Sequence, residues 1–254
     1  DKRRTLIIER QEAQAIKEVE LTAVEPVTVV LSAGGWVRAA KGHEVDPVNL
    51  NYKAGDEFLS AARGKTIQPA IFFDTRGRSY SLPSHNLASA RGHGEPLTGK
   101  LTPSNGARFL SVVMGLPDQK VMLASDAGYG FITDIANMIT KNTKGKAMLT
   151  VRGDSEPLPP VYVNDYNTDY LAAVTTEGYM LVIPVRVLPE LPKGKGNKII
   201  QIPPARLKKR EEYLKLLAII PEGATMKIHA GKQSVRFTPG NISDFVGERG
   251  RRCE

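Results

Sequence analysis

A short apolar run, a polar turn containing glycine and then an aromatic or branched residue recur five times along this chain. That periodicity limits its fold more than any other feature. The first copy is Val27-Thr28-Val29-Val30-Leu31 leading to Gly34-Gly35-Trp36. The second is Ile71-Phe72-Phe73 leading to Gly77 and Tyr80, and the third is Val121-Met122-Leu123 leading to Gly128-Tyr129. Leu171-Ala172-Ala173-Val174 leads to Gly178-Tyr179, and Met226-Lys227-Ile228 leads to Gly231 and, more loosely, Val235. The marker glycines Gly35, Gly77, Gly128, Gly178 and Gly231 are 42, 51, 50 and 53 residues apart. Such spacings belong to propeller blades and similar radial repeats. Each run-turn-run reads as a β-hairpin whose glycine supplies the positive φ of the turn.

From the second copy onward another apolar strand precedes the hairpin: Phe58-Leu59, Phe109 to Met114, Val161-Tyr162-Val163 and Leu216 to Ile220. Turns with Pro, Asn and Gly separate them, as at Pro117-Asp118, Asn164-Asp165 and Pro221-Glu222-Gly223. Many short strands at even spacing predict an all-β domain over 26–254. The pattern predicts further strands at Ala147 to Val151 and Lys198 to Ile202, and a last unit cut short at Glu254. Residues 1–25 read as a linker or entry helix, with Ala13, Ile16 and Leu21 loosely at helical spacing. Pro204 to Leu217 reads as a short helix or a charged loop.

A basic residue beside glycine closes each unit. The five elements are Lys41-Gly42-His43, Arg91-Gly92-His93-Gly94, Lys144-Gly145-Lys146, Lys193-Gly194-Lys195-Gly196 and Arg249-Gly250-Arg251-Arg252. Glycine lets backbone N–H groups approach a phosphate, and Lys or Arg neutralises its charge. The charge balance agrees: 35 Lys and Arg against 27 Asp and Glu give a net +8 among 254 residues. The excess is uneven, with a net −1 over residues 1–25 and +6 over 186–215. A basic domain of this kind favours a polyanion partner. The candidate DNA-binding residues are Arg38, Lys41, Arg91, Lys141, Lys144, Lys146, Lys193, Lys195, Lys198, Arg249 and Arg251. Trp36, Tyr80, Tyr129 and Tyr179 follow the turn glycines and are expected in the blade core rather than stacked on bases.

Enzyme signatures are missing. Gly64-Lys65-Thr66 ends like a phosphate-binding loop, but Leu59 stands where that loop needs its first glycine. Gly194-Lys195-Gly196 has Ile199 where a dinucleotide fingerprint needs its third glycine. His43, His85, His93 and His229 lack metal-ligand spacing, so neither metal nor cofactor is expected. Cys253 is the single cysteine, which excludes an internal disulfide framework and fits a reducing cytoplasm. No run approaches a membrane-spanning length, and no signal peptide opens the chain. The residues leave a second reading open, a protein-interaction wheel with incidental DNA affinity. A propeller-type hydrolase is disfavoured because no acidic position recurs with the repeat.

Several segments are specific enough to carry a resemblance. They are Glu25 to Ser32 with Gly35-Trp36-Val37-Arg38 and Ala40-Lys41-Gly42-His43, Leu50 to Asp56, Ala90 to Leu101, Ala124 to Phe131, Lys193 to Ile200 and Gly247 to Arg252. Over nearly its whole length the chain resembles the C-terminal domain of the bacterial topoisomerase IV ParC protein, a relative of the gyrase A C-terminal domain. The resemblance implies a five-bladed β-pinwheel whose four-stranded blades exchange strands, in an open or broken ring. It implies that a basic rim binds and bends duplex DNA without reading sequence, helping a type IIA topoisomerase select DNA geometry during decatenation and supercoil relaxation. It places the DNA-breaking tyrosine and the ATPase outside this chain. The implied partners are double-stranded DNA, the rest of ParC, the ATPase-bearing second component of the holoenzyme and a chromosome-organising protein. The implied location is the bacterial cytoplasm, on the nucleoid. The gyrase domain's Gln-Arg-Arg-Gly-Gly-Lys-Gly box is not found here; Ala40-Lys41-Gly42-His43 and Arg91-Gly92-His93-Gly94 are what the sequence offers instead. This implies binding along a rim rather than strong chiral wrapping.

Overall fold

The computed structural model describes residues 23–230 and 233–251. The expected entry helix falls largely, and the turn at Gly231 directly, outside the described residues. All five apolar runs form the first strand of an antiparallel hairpin. These are β1 (Pro26–Ser32) with β2 (Trp36–Lys41), β4 (Pro69–Asp74) with β5 (Arg78–Pro83), and β8 (Lys120–Ser125) with β9 (Tyr129–Asp134). The last two are β12 (Tyr170–Thr175) with β13 (Met180–Pro184), and β16 (Met226–Ala230) with β17 (Gln233–Phe237). Gly35, Gly77, Gly128 and Gly178 turn four of them with φ between 75° and 87°. Side chains other than glycine rarely adopt that conformation.

The strands between hairpins are β3 (Phe58–Lys65), β6 (Glu95–Pro96), β7 (Phe109–Val113), β10 (Lys146–Ala147), β11 (Val161–Val163), β14 (Asn197–Lys198) and β15 (Leu214–Ile220). Each joins the hairpin of the preceding repeat. The sheets read β3-β1-β2-β6, β10-β5-β4-β7, β11-β8-β9-β14 and β13-β12-β15. A blade is therefore one hairpin flanked by strands that lie before and after the next hairpin in sequence. Among the described residues three blades have four strands and the fourth has three, with Val246 making to Val182 the parallel bridge that Ser89 makes to Ala39 and Glu190 to Ile132. The fifth repeat contributes the β16–β17 hairpin alone. The fold is thus an all-β pinwheel with four blades, and the expectation of five four-stranded blades is met only that far.

The described chain divides into two compact units. One holds residues 23–70, 82–100 and 112–114 and centres on the first blade. The other holds 71–81, 101–111 and the residues from 115 onward, with the remaining sheets. In this second unit, β12 shows why the runs are apolar at every position. Leu171 and Ala173 face a core shared with Met122, Ile132, Ile199 and Leu217. Ala172 and Val174 face a second core with Ile220, Ile228 and Phe237. A strand buried on both faces reads as a continuous apolar run. In β16, by contrast, Met226 and Ile228 face the core while Lys227 and His229 are exposed.

Some expected bounds shift. The edge strands begin one residue earlier and are shorter than expected, at Lys146–Ala147 and Asn197–Lys198. Of the short helix or charged loop expected over 204–217, the helix covers Pro204–Lys208, because Leu214 onward pairs with β12. Among the described residues no helix is long and apolar enough to cross a membrane.

Glycine is required where the edge strands arrive. A Cβ on Gly196 would meet the Gly130 carbonyl oxygen at 2.1 Å, and its φ is +78°. Gly153 has φ +61° with nothing near a Cβ. Gly196→Ala should therefore destabilise the domain by about 3 kcal/mol and Gly153→Ala by about 1 kcal/mol, read from urea midpoints.

Candidate nucleic-acid interface

Four of the five basic–glycine elements occupy one structural position. After the second strand of a hairpin, the chain makes a short helical turn and then pairs back onto the preceding blade. On the first blade, the Ala39 N–H donates to Ala88 O and the Ala90 N–H donates to Ala39 O; Gly94 then leads into β6. On the second, Gly145 leads into β10, which pairs Lys146 with Ser79. On the third, Ile132 and Leu191 repeat the first blade's pattern, and Gly196 leads into β14. On the fourth, the Gly247 N–H donates to Val182 O just before Arg249-Gly250-Arg251. The elements are thus the seams of strand exchange as well as carriers of charge.

Lys41-Gly42 does not belong to that series. It ends β2 within its own blade, where the Gly42 N–H donates to Pro26 O. Lys41 is 91% exposed and lies 3.4 Å from Glu25. Arg38 is a correction of a different kind. It is 3% exposed, and its Nη1 donates to Asn51 O at 2.8 Å and Gly92 O at 2.9 Å. Its guanidinium stacks 4.6 Å from the Tyr52 ring centre. Buried among these groups, Arg38 holds the 42–57 loop to the seam of the first blade rather than standing at the surface as the sequence reading expects. Arg91 on the same seam is exposed.

In the second unit Lys141, Lys144, Lys193 and Arg249 are exposed. Arg249 Nη1 also donates to Lys198 O at 2.9 Å, and exposed Arg251 pairs with Glu248 at 2.6 Å. Three lysines are half-buried and engaged. Lys146 Nζ donates to Asn137 O, Lys195 Nζ sits 3.6 Å from the Tyr129 ring centre, and Lys198 Nζ donates to Gln201 Oε1 at 2.9 Å. The aromatics divide too. Tyr80 is fully buried, whereas Trp36 and Tyr129 are half-buried under Lys53 and Lys195. Arg63, Lys65, Arg76 and Arg108 are exposed cations outside the sequence-based set. Aligning the hairpins to one another would have placed Arg76 in a turn.

Carboxylates fix the seams and turns. Glu190, on the seam of the third blade, meets Lys120 together with Asp134, and these two hold the ammonium above its ordinary pKa. Asp56 accepts from the Ser32 hydroxyl at 2.6 Å and the Gly34 N–H at 2.7 Å. Burial pushes the Asp56 carboxyl up, but these donors, the Glu57 N–H and the Arg38 charge outweigh it and hold the carboxyl below its ordinary value.

A family model described as the DNA gyrase C-terminal domain, beta-propeller, matches residues 119–156 and 169–219. The solved structure of the E. coli ParC C-terminal domain superposes with a TM-score of 0.81 at 48% identity, covering 91% of this chain and 93% of that one. The chain belongs to the ParC C-terminal domains of topoisomerase IV. The A subunit of DNA topoisomerase 4 from Pseudomonas aeruginosa is 52% identical over 99% of the chain, which spans 33% of that relative's length. A DNA gyrase A C-terminal domain with a TM-score of 0.61 at 11% identity covers 89% of this chain and 75% of that one, and shares the fold.

Two outcomes follow for this ParC-type domain. Arg38→Ala should cost about 3 kcal/mol in urea unfolding, since it removes a buried guanidinium with its two charge-assisted bonds and its packing on Tyr52, while Arg91→Ala should stay within about 0.5 kcal/mol. Asp56, depressed in the folded state, contributes stability that is fully present above its ordinary 3.8 and is lost as pH falls through the lower folded value. Asp56→Asn should accordingly flatten the acid limb of the stability–pH curve below pH 3.8, read by circular dichroism.

Proposed function

We propose that this chain binds double-stranded DNA without reading sequence and bends it, as the DNA-geometry-selecting domain of a topoisomerase IV ParC protein. The observation that carries the reading is the repeated seam: Arg91, Lys144, Lys193 and Arg249 are exposed cations, each beside a glycine, on the corresponding seams of four successive blades. Repeated contacts of this kind suit a regular phosphate backbone and ignore base identity.

Magnitudes support the use of several blades at once. A phosphate contact contributes about 1 kcal/mol at 0.15 M salt through counterion release. Smooth bending of a 20–30 base-pair site costs on the order of 1–6 kcal/mol. One blade with one or two contacts leaves little surplus; four seams together exceed most of that range. The β16–β17 hairpin, with Lys227 and His229 on its exposed face, serves as the terminal, fifth blade. In the holoenzyme the domain acts beside the DNA-breaking segment and the ATPase-bearing second component, on the nucleoid in the bacterial cytoplasm, with a chromosome-organising protein as a further partner. The domain itself carries out no bond chemistry and uses no cofactor.

Titration of the chain with random-sequence duplex across a salt series tests this. The expected slope of log affinity against log salt is about −0.9 for each contacted phosphate. Joint replacement of Arg91, Lys144 and Lys193 by Ala should lower affinity by about a hundredfold at 0.15 M salt with unfolding unchanged. An affinity indifferent to salt would falsify the reading.

A further inference from the structure

The hairpin turn of the second blade is charged unlike its counterparts. Buried Asp74 organises it: Oδ1 accepts the N–H groups of Arg76 and Arg78 at 2.9 Å, and Oδ2 accepts the Tyr80 hydroxyl at 2.8 Å. This carboxylate is directed inward, while the Arg76 side chain is left at the surface beside Gly106. Thr75 ties exposed Arg108 to the same corner, its N–H donating to Arg108 O at 2.8 Å and its Oγ1 accepting the Arg108 N–H at 3.0 Å. Arg78 completes the corner by donating to Lys144 O at 3.1 Å and Gly145 O at 2.7 Å. Arg76, Arg108 and Lys144 form no ion pair among the described residues.

The matching turns of the third and fourth blades, in the same unit, are compensated. Asp126 in the third pairs with Arg210 at 2.7 Å. Glu177 in the fourth pairs with Arg206 at 2.8 Å, and Glu211 and Glu212 crowd the same guanidinium. Within the basic stretch 186–215, Arg206 and Arg210 are thus matched by Glu177 and Asp126 from outside it. At the second-blade turn, by contrast, neither the Arg76 nor the Arg108 guanidinium meets a carboxylate among the described residues.

We infer that the Arg76–Arg108–Lys144 corner of the second blade is the main phosphate anchor for duplex DNA in this unit, and that the hairpin turn of the fourth blade around Glu177 makes no phosphate contact. The inference rests on the DNA-binding reading and adds an order of importance among blades. A charge that no carboxylate screens attracts phosphate more strongly than one already paired. Three such charges on a corner fixed by a buried carboxylate bind with little ordering of the protein.

Fluorescence anisotropy of the chain with a labelled random-sequence duplex of about 30 base pairs, long enough for a bent site, tests it. Arg76→Gln with Arg108→Gln should weaken binding about 30-fold at 0.15 M salt and reduce the salt slope by about 1.8, as two lost contacts require. Arg76→Lys with Arg108→Lys should retain most of the affinity. Lys208→Gln with Lys209→Gln removes the same charge at the fourth-blade corner and should leave affinity within about twofold, since it takes away no contact. Equal losses from the two Gln pairs would overturn the anchor and leave DNA binding standing. Failure of the unaltered chain to bind duplex would remove the DNA-binding reading and the anchor with it. Thermal unfolding of each variant separates lost contacts from lost folding.

Discussion

Burial of β12 on both faces sets the terms for the second unit. Leu171 and Ala173 belong to one core and Ala172 and Val174 to the other, so this strand is buried only when sheets pack on each side of it. Each well-buried Leu or Ile contributes roughly 1.5–3 kcal/mol relative to exposure, and none of that is available to a single isolated hairpin. Strand exchange answers the same need. By lending β11 and β14 to the hairpin of β8 and β9, the chain fastens consecutive repeats by backbone hydrogen bonds as well as by side-chain packing. The seams that do this leave cations on the surface, so the device that builds the sheets also distributes the charge.

The hairpins were legible in the sequence because their signal is local: an apolar run, then a glycine such as Gly77 or Gly128 with positive φ. The family was legible for a related reason, since segments such as Ala90 to Leu101 are dense in glycine and proline in a specific order. Strand partners were not legible. β3 precedes the second hairpin and reads as part of it, yet it pairs with β1, and only packing decides that. The alternation of Lys227 and His229 in β16 was present in the sequence and marks a hairpin with an exposed face, although it is a weaker signal than the apolar runs of the other copies.

Side-chain roles were less readable. Arg38 and Arg91 are both arginines close to the first seam. One is sealed beneath the 42–57 loop against Tyr52, and the other stands in solvent. Nothing in the residues around them separates the two, because the loop that covers Arg38 carries no periodic signal. The run Lys208-Lys209-Arg210 misleads in the opposite direction. It looks like a basic patch, but Arg210 turns inward to Asp126 with a φ of 58° and stacks on Tyr213. Counting charge along the chain measures what is available; ion pairing determines what remains for a partner.

Exchange of strands also sets the tempo at which this domain can be completed on the ribosome. The first hairpin ends at Lys41, but the sheet it belongs to lacks its last strand until Glu95–Pro96 has been made. At ordinary rates of synthesis that delay is on the order of 3–10 s, and it recurs with each repeat. During the wait an unpaired edge of β2 is exposed to other chains, the kind of edge that invites mispairing. Nascent copies of this domain are therefore most vulnerable between repeats, and a synonymous change that slows translation in the seam segments would lengthen that exposure without altering a single residue.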